Sequence, residues 1–152
     1  MKTILNKQIA ALLEESDITA ALANVSACIA MSYENLNWAG FYYVKNNELV
    51  LGPFQGRPAC THIPFTKGVC GACYRTKQTQ NIPAVLKLQD HIACDSASRS
   101  ELCVPVIVNG EVVMEIDLDS PIEKRFTAVE ITEMEATAEA IAKAFVQHDW
   151  HI

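Results

Sequence analysis

Six cysteines and a group of closely spaced carboxylates are the residues of this 152-residue chain best suited to chemistry. Cys70 and Cys73 form a C-x-x-C arrangement within "KGVCGACYR". That spacing raises a redox dithiol or half of a thiolate metal site. A thioredoxin-like pair follows directly on a buried strand in a βαβ context, whereas the "PFTKG" before Cys70 reads as a turn. A structural zinc site needs a second pair of ligands at motif spacing. The remaining candidates, Cys60, His62, His91, Cys94 and Cys103, are scattered, and His148 and His151 add no such spacing. No metal is therefore expected. Cys70 falls near the start of a helix, where exposed N–H groups and the helix dipole stabilise a thiolate, and Cys73 lies one turn too far in. Cys94 lies in the loop "HIACDSASRSEL" between His91 and Arg99. A loop thiol beside positive charge is the kind that reacts.

The carboxylates are collected by strand register. Two apolar stretches, "ELCVPVIV" and "VVMEIDLD", meet around Asn109-Gly110. A two-residue turn there would set Leu102 opposite Asp117 and mismatch every apolar position. A three-residue loop, Asn109-Gly110-Glu111, pairs Val108 with Val112, Val106 with Met114, Val104 with Ile116 and Leu102 with Leu118. That register gives one wholly apolar face and is the one expected. On the other face Glu101 then opposes Asp119 and Cys103 opposes Asp117, with Glu115 nearby. Opposed side chains have Cβ atoms about 4.5–5.5 Å apart, where like charges repel. Such a cluster needs water, a cation or a shared proton. It is either a solvated sheet face or a pocket for a cationic ligand, with one carboxyl kept protonated by its neighbours.

The elements that must position these groups follow from periodicity. Apolar residues at helical spacing predict a helix over residues 3–15 and a second one capped by Asp17, carrying Ile18, Leu22, Val25 and Ile29. Cys28 within it is expected as a small core residue. "WAGFYYVK" and "ELVLGPF", separated by Asn46-Asn47, read as a β-hairpin. A short strand at "CTHIPF", a helix from about Gly68 and a strand near "TQNIPAV" lead to the two long strands. Thr127 and Glu130 have capping-box spacing, Phe126 and Ile131 staple spacing, and Ile131, Met134, Ala138, Ile141 and Phe145 one apolar stripe. The order predicts a single α+β domain over 1–152, with a central, mainly antiparallel sheet and helices on one face.

Half the residues are apolar, and a net charge of −6 with 12 basic residues argues against a nucleic-acid partner. The N-terminal segment is unlike a secretory leader and no apolar run reaches membrane length. A soluble, cytoplasmic protein is expected, with mostly free thiols rather than a disulfide framework.

Taken in order, "WAGFYY", "GPFQG", "AC", "KGVCG", "HIACD", "SEL" with its following "VP", and "IDLDSP" closely resemble the free methionine-(R)-sulfoxide reductases, enzymes built on a GAF domain. The resemblance spans residues 36–121. It implies a GAF-like fold whose ligand pocket lies on the sheet face away from the helices. It implies Cys94 as the attacking thiol, with Cys60 and Cys70 as the other redox cysteines, either of which could resolve the intermediate. Trp38 and Tyr42 would hold the methyl end of the substrate, and Glu101, Asp117 and Asp119 would supply the pocket carboxylates, Glu101 also donating a proton. The implied substrate is free L-methionine-(R)-sulfoxide, with no bound cofactor, thioredoxin or another dithiol as external reductant, and a homodimer formed through the terminal helices. The rival is a non-catalytic GAF sensor of a small ligand or of redox state. The chain also departs from the family pattern. Thr66 replaces a usual glycine, and the run before Cys94 lacks another. Cys73 and Cys103 stand where no redox cysteine is usual, and Met114 and Glu115 where small apolar residues are. On this resemblance the C-x-x-C is a coincidence, Cys70 belonging to the redox set and Cys73 being extra.

Overall fold

Each of the six strands finds antiparallel partners. In the computed structural model, which describes residues 2–152, β1 (Trp38–Lys45), β2 (Glu48–Gly56), β3 (His62–Ile63), β4 (Gln80–Ile82), β5 (Ser100–Val108) and β6 (Glu111–Ser120) form one sheet in the order β3-β2-β1-β6-β5-β4. The helices are α1 (Ile4–Leu12), α2 (Ile18–Ser32), α3 (Gly68–Thr76) and α4 (Ala128–Gln147). None of them is long and apolar enough to cross a membrane.

The helix starts follow the capping chemistry. The Asp17 side chain accepts from the Ala20 N–H, and Thr127 and Glu130 form the expected reciprocal box. A second box, Thr3 with Asn6, starts α1. That helix ends at Leu12, short of residue 15, where the Glu14 and Glu15 N–H groups turn to the Ala11 and Leu12 carbonyls three residues back, and the Glu15 carboxylate accepts from the Asp17 N–H at 2.9 Å.

Alternate residues of the central strands point to one face. Phe41, Leu102, Val104, Val106, Met114, Ile116 and Leu118 pack there against Ile9, Leu22, Val25, Ile29, Met134 and Ile141 from α1, α2 and α4. Cys28 packs against the edge of this core, half-buried rather than enclosed, with Sγ 3.9 Å from Gln8 Oε1. Trp150 closes its end, its Nε1–H donating to the Ser16 carbonyl at 2.7 Å.

Helices do not occupy one face alone. α3 lies on the opposite face, where its Val69, Cys70 and Cys73 pack with Trp38, Tyr42 and Cys103. An apolar side chain stripe on α3 needs burial as much as those of the longer helices do. Its consequence is that the acidic sheet face is covered rather than solvated.

The β5–β6 turn corrects the expected loop. Asn109 and Gly110 both take positive φ, 51° and 80°, and Val108 pairs with Glu111. This two-residue geometry matches strand twist and suits Asn-Gly. The register then shifts, because Ile107 pairs with Val112 but Val106 with Met114, leaving Val113 as an extra residue. Such a bulge restores the alternation. Beyond it Val104–Ile116, Leu102–Leu118, Cys103–Asp117 and Glu101–Asp119 pair as the apolar pattern required.

Candidate active site

β1 carries Trp38 and Tyr42 on the covered face, four residues apart. Between them Gly40 lets β2 approach, since a Cβ there would come within 2.3 Å of the Phe54 Cβ. The Trp38 ring stacks on Phe54 and Tyr42 at centroid distances of 5.1 and 5.8 Å. The Tyr42 hydroxyl donates to the Cys60 carbonyl at 2.9 Å, fixing the segment that carries this thiol. Cys60 and Cys94 are joined as a disulfide, with Cα atoms 5.2 Å apart.

A cavity lies between the sheet, α3 and the loop before β5. Trp38, Tyr42, Cys70, Cys94, Glu101, Asp117 and Asp119 all line it. Every site residue expected from the sequence therefore meets here except Cys60, which adjoins the lining through its bond to Cys94. Residues that the sequence reading did not single out hold the Cys94 loop. The Asn37 amide donates to Asp95 Oδ2 at 2.9 Å and to Ser98 Oγ at 3.1 Å, while Asp95 Oδ1 accepts from the Ala97 N–H at 2.9 Å. The Ala97 N–H keeps the Asp95 carboxyl below its ordinary pKa. The D-x-x-S run after Cys94 was the available signal, because Asp side chains of this kind commonly bond the backbone two residues on.

Burial dominates the electrostatics. Glu101 is raised well above an ordinary carboxyl, first by desolvation and then by Asp117 and Asp119. Asp119 is raised likewise, and Asp117 is raised by burial against the pull of a hydrogen bond from Glu101. Both carboxyls are thus held above the ordinary carboxyl range, chiefly by burial. Two polar atoms of the lining have no partner, the Trp38 Nε1–H donor and the Asp117 Oδ1 acceptor. Buried groups of this kind are normally satisfied, so the lining offers one donor and one acceptor.

Two expectations for the thiols change. Cys70 is buried with Sγ 3.8 Å from Glu101 Oε2, and its hydrogen bond with Cys103 is outweighed by burial and by Asp117, Glu115 and Glu101. Its pKa rises well above that of an ordinary thiol, so proximity to the start of α3 does not make it a thiolate. His91 is no source of positive charge beside Cys94, because burial lowers its pKa. Arg99 directs its guanidinium to the Ser96 and Ser98 carbonyls at 2.8 and 2.9 Å.

A disulfide, buried carboxyls and stacked aromatics around one cavity can exchange two electrons with a small polar ligand and supply a proton. Comparisons with known proteins agree. Residues 9–145 match the GAF domain model. The free methionine-R-sulfoxide reductase of Escherichia coli is 44% identical over 124 residues, covering 81% of this chain and 75% of that protein. Its counterpart from Saccharomyces cerevisiae is 44% identical over 133 residues, covering 82% and 74%. The free methionine-R-sulfoxide reductase structure from Neisseria meningitidis, solved in complex with its substrate, superposes with a TM-score of 0.92 at 36% identity, covering 95% of this chain and 88% of that one. The chain therefore belongs to the free methionine-(R)-sulfoxide reductases, a family of enzymes built on the GAF domain.

Proposed function

We propose that this protein reduces free L-methionine-(R)-sulfoxide to methionine in the cavity bounded by Trp38, Tyr42, Cys94, Glu101, Asp117 and Asp119. The observation that carries this reading is the Cys60–Cys94 disulfide in the wall of a cavity with a buried acidic floor. The family's activity is consistent with it. A GAF domain that only senses a small ligand has no use for such a couple.

The Cys94 thiolate attacks the sulfoxide sulfur. Glu101, whose burial and acidic neighbours favour its protonated form, protonates the sulfoxide oxygen. The protonated oxygen then passes from the substrate sulfur to Cys94 as the S–O bond and the transient bond between the two sulfurs break, so methionine leaves and Cys94 becomes a sulfenic acid. The Cys60 thiol then attacks the Cys94 sulfur, forming the disulfide and releasing water. The net change is one sulfoxide and two thiols to one thioether, one disulfide and one water. An external dithiol of the thioredoxin class reduces the disulfide by exchange. No bound cofactor takes part in these steps.

Selectivity for the free amino acid rests on charge. The ammonium group of the ligand compensates Asp117 and Asp119, and Asp117 Oδ1 lacks any other partner. A peptide-bound residue has no ammonium there and leaves the acceptor unpaired, which is how polar sites reject near-isosteres. The indole of Trp38 donates its free N–H to a ligand oxygen, while its stacked face and Tyr42 hold the methyl end. We read residues 1–152 as one domain that pairs with a second copy through the terminal helices, where Ile4 and Val129 are exposed.

A single-turnover experiment tests this reading. Fully reduced protein mixed with excess substrate and no external reductant should release methionine rapidly, and Cys94→Ser should release none. Cys60→Ser should still release methionine and accumulate a sulfenic acid that dimedone traps. Methionine release from Cys94→Ser at the wild-type rate would remove Cys94 from its role.

A further inference from the structure

Beside the acidic floor of the cavity lies a second polar cluster that the redox steps do not use. It draws Cys70 and Cys73 from α3, Cys103 from β5 and Glu115 from β6. All four are buried, and Cys73, Cys103 and Glu115 are 0% exposed. Cys103 Sγ is 3.8 Å from Cys70 Sγ and 3.3 Å from Glu115 Oε1. The ligating atoms of Cys70, Cys103 and Glu115 lie within 4.8 Å of one another. Cys73, one turn along α3 from Cys70, is buried beside this group but is not one of its members. The other carboxylate oxygen, Glu115 Oε2, is buried without a partner.

An unpartnered carboxylate oxygen among free thiols is costly in an interior where apolar side chains would pack as well. Cys73, Cys103 and Glu115 are also three of the positions at which the chain departs from the pattern it otherwise follows. A tetrahedral zinc thiolate has Zn–S bonds of about 2.3 Å, which puts neighbouring sulfurs about 3.8 Å apart. With Zn–O near 2.0 Å, the sulfur-to-oxygen edge is about 3.5 Å. The Cys70–Cys103 and Cys103–Glu115 distances correspond to these two edges.

We propose that Cys70, Cys103 and Glu115 form three ligands of a tetrahedral thiolate–carboxylate site for one soft divalent cation of the zinc class. Cys70 lines the cavity and gives the ion its route in. Without a cation, burial and mutual contacts raise the Cys103 thiol and burial raises the Glu115 carboxyl, so both favour their neutral forms. A bound cation reverses that preference and releases protons on binding. Occupancy also withdraws Cys70 from thiol exchange and leaves Cys60 as the only thiol positioned to resolve Cys94. The site is independent of the catalytic reading, since its ligands other than Cys70 take no part in the reaction.

Cobalt(II) is the probe. Full-length protein is oxidised by one turnover to close Cys60–Cys94, so that neither of these thiols can ligate, and freed of metal by chelation. Titration should give one cobalt per chain, with thiolate-to-cobalt charge transfer in the near ultraviolet and the intense visible bands of tetrahedral cobalt. Zinc should displace it. Cys103→Val should abolish the charge-transfer band, and Glu115→Gln should weaken binding at least about tenfold, since even residues that only support ligands change affinity about 10–100-fold. Cys28→Ser should leave binding unchanged. Circular dichroism checks that each variant is folded, and Cys103→Ala serves in place of Cys103→Val if that one is not. Folded wild-type protein without the charge-transfer band, or a Cys103→Val or Cys103→Ala variant that keeps it at full intensity, overturns the proposal.

Discussion

Closing the Cys60–Cys94 disulfide ties together residues 34 positions apart, and the bond should be visible in stability as well as in turnover. The perturbation is reduction. In the chain-entropy account a cross-link removes about 2.1 + 1.5R ln n cal/mol/K from the unfolded chain. A separation of 34 then gives about 12.6 cal/mol/K, or about 3.8 kcal/mol at 25 °C. For a domain of this size each kcal/mol moves Tm by about 2–4 °C, so the oxidised protein should melt about 8–15 °C above the reduced one. Thermal unfolding followed by circular dichroism, with and without a reductant, measures the gap. The pairing also dictates which variants lose it. Cys60→Ser and Cys94→Ser should show no gap, whereas Cys70→Ser should keep it, even though loss of a buried thiol lowers both of its melting points. A gap that survives in Cys60→Ser and vanishes in Cys70→Ser would refute the Cys60–Cys94 couple and make Cys70 the resolving thiol.

Glu101→Gln should slow methionine release in a single turnover by about 100-fold or more, the usual worth of a positioned acid, with substrate binding retained; an unchanged rate assigns the proton to another group. Tyr42→Phe removes the hydrogen bond to the Cys60 carbonyl, and should cost about 1 kcal/mol in urea denaturation. It should also slow disulfide closure while leaving the preceding methionine release intact. Glu130 supplies a pH test. Burial pushes its pKa up, but the hydrogen bond from Arg125 and the Thr127 N–H outweigh this and hold it below the ordinary value. A folded-state pKa below the unfolded one contributes stability that is present above the unfolded value and lost as pH falls through the folded value. Wild type should therefore exceed Glu130→Gln by about 1 kcal/mol at neutral pH, and the difference should close in acid; a gap independent of pH would mean that the carboxylate charge is not its source.

Local chemistry made most of the elements legible. Asn46-Asn47, Asp17 and the Thr127–Glu130 box each act within a few residues, so their hydrogen bonds are implied by spacing alone. The β5–β6 pairing shows how a local and a longer-range preference can conflict. Asn-Gly favours a two-residue turn, the apolar faces demand a different register, and the bulge at Val113 satisfies both. Choosing the register from the apolar pattern placed Glu101 opposite Asp119 and Cys103 opposite Asp117 correctly, although the loop that produced it was wrong. Reading α3 only as the carrier of a C-x-x-C missed that its apolar side covers the acid cluster. Burial is a property of what packs on top, and no residue of β6 reports it. For the same reason the Cys70 thiol looked activated by its helix position and is instead held neutral. Asn37 was equally invisible, because its partners Asp95 and Ser98 are 58 and 61 residues away along the chain.

The most direct test of the catalytic reading measures NADPH consumption with thioredoxin and its reductase, offering free methionine-(R)-sulfoxide, its (S) epimer and an N-blocked (R) analogue separately. Turnover of the free (R) form alone is the predicted result. Equal turnover of the blocked analogue would contradict selection by the carboxylates around Asp117, and no turnover of any of the three by folded, reduced protein would contradict the enzymatic reading itself.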